Sequence, residues 1–250
     1  MTVGGSNRRA VARTVAAVMA VAVLAVACGT DGSPPVDAAT DGTRVPDDHG
    51  LSEATLTRVV ASTVGIDGVA CGRLASGSGF ALTERLIVTA AHVIVGIDDI
   101  RVHTVDGREV SAIPVAFDPV ADLAILDVAD ADLPPLPLTD SAPSGSTGVV
   151  IGWEAGPNPD PKPYGVDRSV TVRIEAVGTE ERVERPAWLV AADIDVGDSG
   201  AALVDRTGEV IGVAFATSTQ GTGVGYAVRS SAIENLLAAG LDANLTIPPC

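Results

Sequence analysis

Lysine is almost missing from this 250-residue chain. Lys162 stands alone, arginine supplies the remaining basic side chains, and Asp and Glu together number 32, for a formal net charge of −16. A phosphate backbone would be repelled by such a surface, which argues against nucleic acid as a partner. We read the acidity as a solubility device rather than as a lure for basic proteins. Aromatic residues are also scarce, at 3% of the chain, while Val, Ala, Leu and Gly dominate. That balance suits short strands and tight turns better than long charged helices. The three histidines (His49, His92, His103) and three cysteines (Cys28, Cys71, Cys250) are scattered. No Cys/His cluster has metal-ligand spacing, so neither a metal nor an organic cofactor is implied. No internal repeat is evident.

The first 28 residues are a targeting segment and stand outside the fold. Arg8, Arg9 and Arg13 form a basic start, and the apolar run Val15 to Ala27 is short for a membrane span but suits a signal-peptide core. The run ends Leu24-Ala-Val-Ala-Cys28-Gly29, similar to a bacterial lipobox, with Ala25 where leucine is more usual. Cys28 would then carry lipid and become the mature N-terminus; the alternative is an ordinary cleaved signal with an incidental cysteine. The Arg8-Arg9 pair is a weak pointer to twin-arginine export. Residues 29–50, rich in Gly, Asp, Thr and Pro without apolar periodicity, read as a disordered acidic tether. Export places the remaining cysteines, Cys71 and Cys250, in an oxidising compartment. A bridge between them would close a loop of about 180 residues and contribute at most roughly 5 kcal/mol; free thiols or an intermolecular bond are the alternatives.

A globular domain is expected over 51–250. Leu51 to Ile66 reads as a short helix or an opening strand. Strand-like runs follow at Ser78 to Leu82, Leu86 to Thr89, Ile100 to Val105, Val110 to Phe117 and Ala124 to Val128, each bounded by Gly, Asp or Pro. A proline-rich connector, Leu133 to Ser146, separates them from a second set at Gly148 to Trp153, Arg168 to Val177, Arg182 to Ile194, Ala201 to Val204, Glu209 to Ala216 and Gly223 to Val228. This pattern predicts an all-β fold of two packed six-stranded antiparallel barrels, with lobes at about 58–132 and 147–229. A closing helix is expected from a capping box at Ser231-Ala-Ile-Glu234, an apolar face of Ile233, Leu236, Leu237 and Leu241, and a stop at Gly240.

The chemistry is carried by three places. Gly197-Asp198-Ser199-Gly200 sets a serine on a tight turn whose amides can face a bound carbonyl. His92 follows Leu86-Ile-Val-Thr-Ala-Ala91, where an apolar strand runs into a turn. Asp122 precedes the apolar run Leu123-Ala-Ile-Leu126, and a carboxylate at the mouth of a buried strand needs a partner. Asp118, before a proline, fits a turn role instead. Two of the three fall in the first strand group and Ser199 in the second, so a cleft between barrels can assemble a nucleophile, a base and an orienting acid.

These residues, Thr89-Ala-Ala-His92-Val, Asp122-Leu-Ala-Ile-Leu and Gly197-Asp-Ser-Gly200, resemble the trypsin-like, chymotrypsin-fold serine proteases. Ala191 to Ser199 and Gly208 to Phe215 are similar to the bacterial envelope members, of the Htr/Deg type and the actinobacterial membrane-anchored acid-resistance (MarP) type, over roughly residues 58 to 235. The resemblance implies an exported, lipid-anchored serine endopeptidase at the outer face of a bacterial membrane, that of an actinobacterium, acting on polypeptide. The expected organisation is the protease domain alone on its tether. Ser199 would be the nucleophile, His92 the base, Asp122 its orienter, and the amides of Gly197 and Ser199 the oxyanion hole. By the same resemblance Asp193 would lie at the base of the specificity pocket and favour Arg or Lys, with a solvated Asp193 as the alternative. Ala214, Phe215 and Ala216 would line the substrate edge. The chain departs at Gly200-Ala201-Ala202, where relatives continue Gly-Gly-Pro. Asp198 would pair with an ammonium released by propeptide cleavage, for which Arg58-Val-Val-Ala is a faint match, or with an internal arginine. A retired protease fold that only binds peptide or protein, and an ordinary substrate-binding lipoprotein, are the competing readings.

Overall fold

A computed structural model describes residues 44–153, 158–217 and 223–249. The leader with Cys28, the tether up to residue 43, and Cys250 lie outside these residues. The described chain opens with helix α1 (Glu53–Ala61), whose N-cap Ser52 accepts from the Thr55 amide, and passes at once into β1 (Thr63–Ala70). Both readings of the opening segment therefore hold in turn. With β2 (Arg73–Ala81), β3 (Leu86–Thr89), β4 (Ile100–Thr104), β5 (Glu109–Asp118) and β6 (Leu123–Asp127), β1 closes a barrel in the order β1-β2-β3-β6-β5-β4. The short helix α2 (Ala91–Ile94) leaves the end of β3.

The second barrel contains β7 (Thr147–Gly152), β8 (Asp160–Glu175), β9 (Arg182–Ala192), β10 (Ala202–Asp205), β11 (Val210–Thr217) and β12 (Val224–Arg229). Its closed order, β10-β11-β12-β9-β8-β7, is the first barrel's order again, strand for strand. The two halves thus share a topology that leaves no repeat in the sequence. β8 begins eight residues before its expected start at Arg168, because Asp160-Pro-Lys-Pro pairs with β7 while β9 joins only from Tyr164. A segment paired on one side tolerates prolines, whose missing N–H groups can face the open edge.

Side-chain alternation explains why the strands read as unbroken apolar runs. Phe80, Val88, Ile125, Val149, Ile151 and Val204 face the seam between barrels. Their neighbours Ala81, Ile87, Leu126, Val150 and Leu203 fill the barrel interiors. With period-2 geometry, a strand covered on both faces is apolar at every position. Helix α3 (Ser230–Ala239) buries Ile233 and Leu236 in the same seam and ends at Gly240, φ 102°. Its expected capping box does not form: Arg229 occupies the N-cap, and Ser231 Oγ bonds Asp140 instead. Leu241 lies beyond the helix and is exposed. Among the described residues, no helix is long and apolar enough to cross a membrane.

Candidate active site

The β5–β6 turn is built by Asp118, whose Oδ1 accepts from the amides of Val120 and Ala121 at 2.8 and 2.9 Å. It delivers Asp122 in a left-handed conformation, φ 59°, with 4% exposure. A non-glycine residue held there is strained, and such strain collects at functional sites. The reason is visible across the barrel end. The Ala91 amide donates to the Asp122 carbonyl at 3.1 Å, and the His92 amide donates to Asp122 Oδ1 at 2.9 Å. His92 Nδ1 lies 3.0 and 2.9 Å from the two carboxylate oxygens. An ionised carboxylate only accepts, so Nδ1 carries the hydrogen and Nε2 keeps its lone pair.

Ser199 comes from the second barrel and shares one cavity with His92, of about 420 Å³, bounded also by Ile194, Gly197, Phe215 and Ala216. The hydroxyl and the imidazole are not hydrogen-bonded to each other among the described residues. Contacts of this kind are commonly long before substrate closes them. The loop carrying the serine is pinned at both sides. The Gly200 amide donates to the Ala214 carbonyl at 2.8 Å, and the Ser78 amide donates to the Ser199 carbonyl at 2.8 Å. The amides of Asp198, Gly200 and Ala201 all have backbone acceptors, whereas those of Gly197 and Ser199 have none among the described residues. Gly197 sits at φ 107°, a conformation that glycine adopts without a Cβ penalty.

Asp198 points away from the cavity and is fully buried. Among the described residues its charged partner is Lys162. Lys162 Nζ lies 3.0 Å from Asp198 Oδ2 and 3.1 Å from Asp195 Oδ2, and the Asp195 amide donates to Asp198 Oδ2 at 2.8 Å. The carboxylate rests against Gly152, where a Cβ would overlap Asp198 Oδ1.

Two further residues tie the halves together. Ser78 Oγ donates to the Gly197 carbonyl at 2.6 Å and accepts from the Trp153 amide at 2.7 Å. Arg185, on β9, is 2% exposed. Its Nε donates to the Val120 carbonyl at 2.8 Å, its Nη1 lies 3.5 Å from Asp122 Oδ2, and its guanidinium stacks 4.8 Å from the Phe215 ring centre. Burial pushes this guanidinium below the usual arginine range, opposed by the charges of Asp122 and Asp118.

The specificity side differs from the expectation. Asp193 is exposed and does not line the cavity; its carboxylate lies beside Gly223. Ile194, one position on, faces the cavity instead. Ala214 is wholly buried behind the wall, while Phe215 and Ala216 line it. A β-bulge between Ala214 and Ala216 interrupts the β11–β12 register and turns Phe215 toward the site, an established use of bulges. A second cavity on the other side of His92 is lined by Val95, Ile174, Val177 and Phe215, with Glu175 and Arg185. Cys71 occupies the exposed β1–β2 turn at φ 53°.

Neither Lys162, Ser78, Arg185 nor Gly152 emerged from the sequence as part of the site. Only Lys162 left a trace, as the one lysine of an acidic chain.

A profile of the trypsin-like peptidase domain matches residues 77–213. The serine protease Rv3671c of Mycobacterium tuberculosis is 31% identical over 172 residues, covering 67% of this chain and 43% of that protein. Bovine mitochondrial serine protease HTRA2 is 32% identical over 178 residues, covering 67% of this chain and 36% of its own length. The chain thus spans less than half of these curated relatives. Among solved structures, the active form of the Rv3671c protease superposes with a TM-score of 0.74 at 27% identity, covering 84% of this chain and 95% of that one. The HtrA-type protease AlgW with a tripeptide gives 0.64 at 27% identity, covering 74% and 62%. This chain belongs to the trypsin-like peptidase family.

Proposed function

We propose that the chain is an exported, lipid-anchored serine endopeptidase that cleaves polypeptide through an acyl-enzyme. The observation that carries this reading is the His92–Asp122 pair facing Ser199 across one cavity, beside two backbone amides that lack acceptors among the described residues. Ser199 Oγ attacks the scissile carbonyl while His92 Nε2 takes its proton, later passing it to the leaving amine. Asp122 holds the ring in the productive tautomer and offsets the imidazolium charge. The amides of Gly197 and Ser199 receive the oxyanion; one such donor is worth about 3–4 kcal/mol of transition-state stabilisation. Water then repeats the sequence to release the acyl group.

The substrate lies extended along β11, pairing with its edge as an added strand. Ile194, Phe215, Ala216 and Thr217 favour a small or medium apolar side chain at the primary position, because Asp193 offers the cavity no charge and the Asp195 carboxylate at its border is paired with Lys162. Cys28 carries the lipid and holds the domain outside the cell membrane. Cys71 pairs with Cys250, a reading supported by Ile247, which packs against the first barrel's interior. Incubating the mature protein with a mixture-based peptide library, followed by mass spectrometry, tests the activity. Cleavage after small apolar residues is expected, abolished by Ser199→Ala. An uncleaved library, or cleavage that survives Ser199→Ala, overturns the proposal.

A further inference from the structure

We propose that Lys162 is a built-in activating cation: it holds the oxyanion loop in working form, so the domain needs no newly cut N-terminal ammonium. This inference rests on the peptidase reading and adds how the site is assembled. Asp195 to Asp198 form a tight turn closed by two bonds, Asp198 N–H to the Asp195 carbonyl at 3.1 Å and Asp195 N–H to Asp198 Oδ2 at 2.8 Å. Lys162 Nζ bonds both ends of that turn through the carboxylates of Asp195 and Asp198, and Asp160 lies 3.8 Å away. Between those ends stands the Val196–Gly197 peptide, which borders the cavity and whose N–H has no acceptor among the described residues. The cation therefore acts on the oxyanion donor through two side chains.

The residue type fits the task. Asp198 is fully buried, and a buried carboxylate must be paired and hydrogen-bonded to stay ionised. An ammonium is compact, presents three donors, and rides on a flexible stem. From position 162, opposite Val150 in the β7–β8 register, that stem brings the charge to a group lodged against Gly152. The Lys162 side chain keeps only 13% of its exposure, so the pair is screened weakly by solvent. Without the ammonium, Asp198 would seek water, the turn would open, and Gly197 N–H would leave the cavity wall.

The test uses the full chain, intact mass spectrometry, and the rate of Ser199 labelling by a fluorophosphonate. Uncut wild type is expected to label. Lys162→Met should label about 100-fold more slowly and lose kcat with KM changed less than about threefold, as for a lost oxyanion donor. Lys162→Arg should recover part of the rate. The double variant Lys162→Met with Asp198→Asn leaves no unpaired buried charge at this turn, so it should keep the fold yet remain slow. A folded single or double variant that labels at the wild-type rate overturns this inference alone. So does a wild type that labels only after cleavage ahead of β1. A wild type that never labels, cut or uncut, overturns the peptidase reading with it.

Discussion

Gly152→Ala is a one-methyl perturbation aimed at the Asp198 carboxylate that rests against this glycine. An added Cβ would overlap Asp198 Oδ1 and come 2.6 Å from Asp198 Cγ and 3.1 Å from its Cα. Real Cβ atoms do not approach so closely, so the carboxylate must move. Moving it stretches the 3.0 Å contact to Lys162 and the 2.8 Å bond from the Asp195 amide, both around a fully buried charge. Breaking a buried ion pair costs about 3–5 kcal/mol, and overpacking alone about 1–3 kcal/mol. We expect a net loss of about 4 kcal/mol, or about 8–16 °C in Tm for a domain of this size. The loss in kcat should exceed any change in KM, because the displaced loop carries the Gly197 amide. Gly145→Ala is the control: nothing lies within 4 Å of its added Cβ, so only the left-handed φ of 83° is penalised, at about 1 kcal/mol. Calorimetry and steady-state kinetics on both variants decide the matter. A Gly152→Ala protein that melts with the wild type and turns over normally would refute the packing argument.

Other expected outcomes follow from the same geometry. Ser78→Ala should lose about 2–4 kcal/mol in denaturant titration and slow turnover, since it strips the Gly197 carbonyl and the Trp153 amide of a shared buried partner; unchanged stability would contradict this. Arg185→Met removes both a positive charge 3.5 Å from Asp122 Oδ2 and the donor to the Val120 carbonyl, so a buried carboxylate loses a partner. Thermal unfolding should show a loss of about 3 kcal/mol; unchanged stability contradicts the assignment. Asp193→Asn should leave the side-chain preference unchanged in the peptide library, and a lost preference for Arg or Lys would restore the carboxylate to the pocket.

What the sequence disclosed and what it withheld divide along physical lines. The barrels were legible because each strand's apolar run and its bounding Gly, Asp or Pro are local signals, as at Leu86 to Thr89 and Ala124 to Val128, the latter one residue off the observed Leu123–Asp127. Turn chemistry also announced Asp118, and the order of His92, Asp122 and Ser199 pointed to one cleft. Residues that act at long range were silent. Lys162 lies 36 positions before Asp198, Ser78 lies 119 before Gly197, and Arg185 lies 63 after Asp122; no periodicity links such pairs. Ser231-Ala-Ile-Glu234 misled for the converse reason. A capping box is a local preference, and Asp140 from the inter-barrel connector took the serine hydroxyl instead. Asp193 shows the limit of positional resemblance: one residue along an extended segment exchanges solvent for cavity, and Ile194 holds the inner place.

The most direct test of the central claim is stoichiometric labelling of folded wild type with a fluorophosphonate, mapped by tandem mass spectrometry. The account predicts one adduct per chain, on Ser199, lost in Ser199→Ala and reduced by orders of magnitude in His92→Ala with the fold intact. A folded wild type with no adduct at Ser199, or equal labelling in His92→Ala, would contradict it.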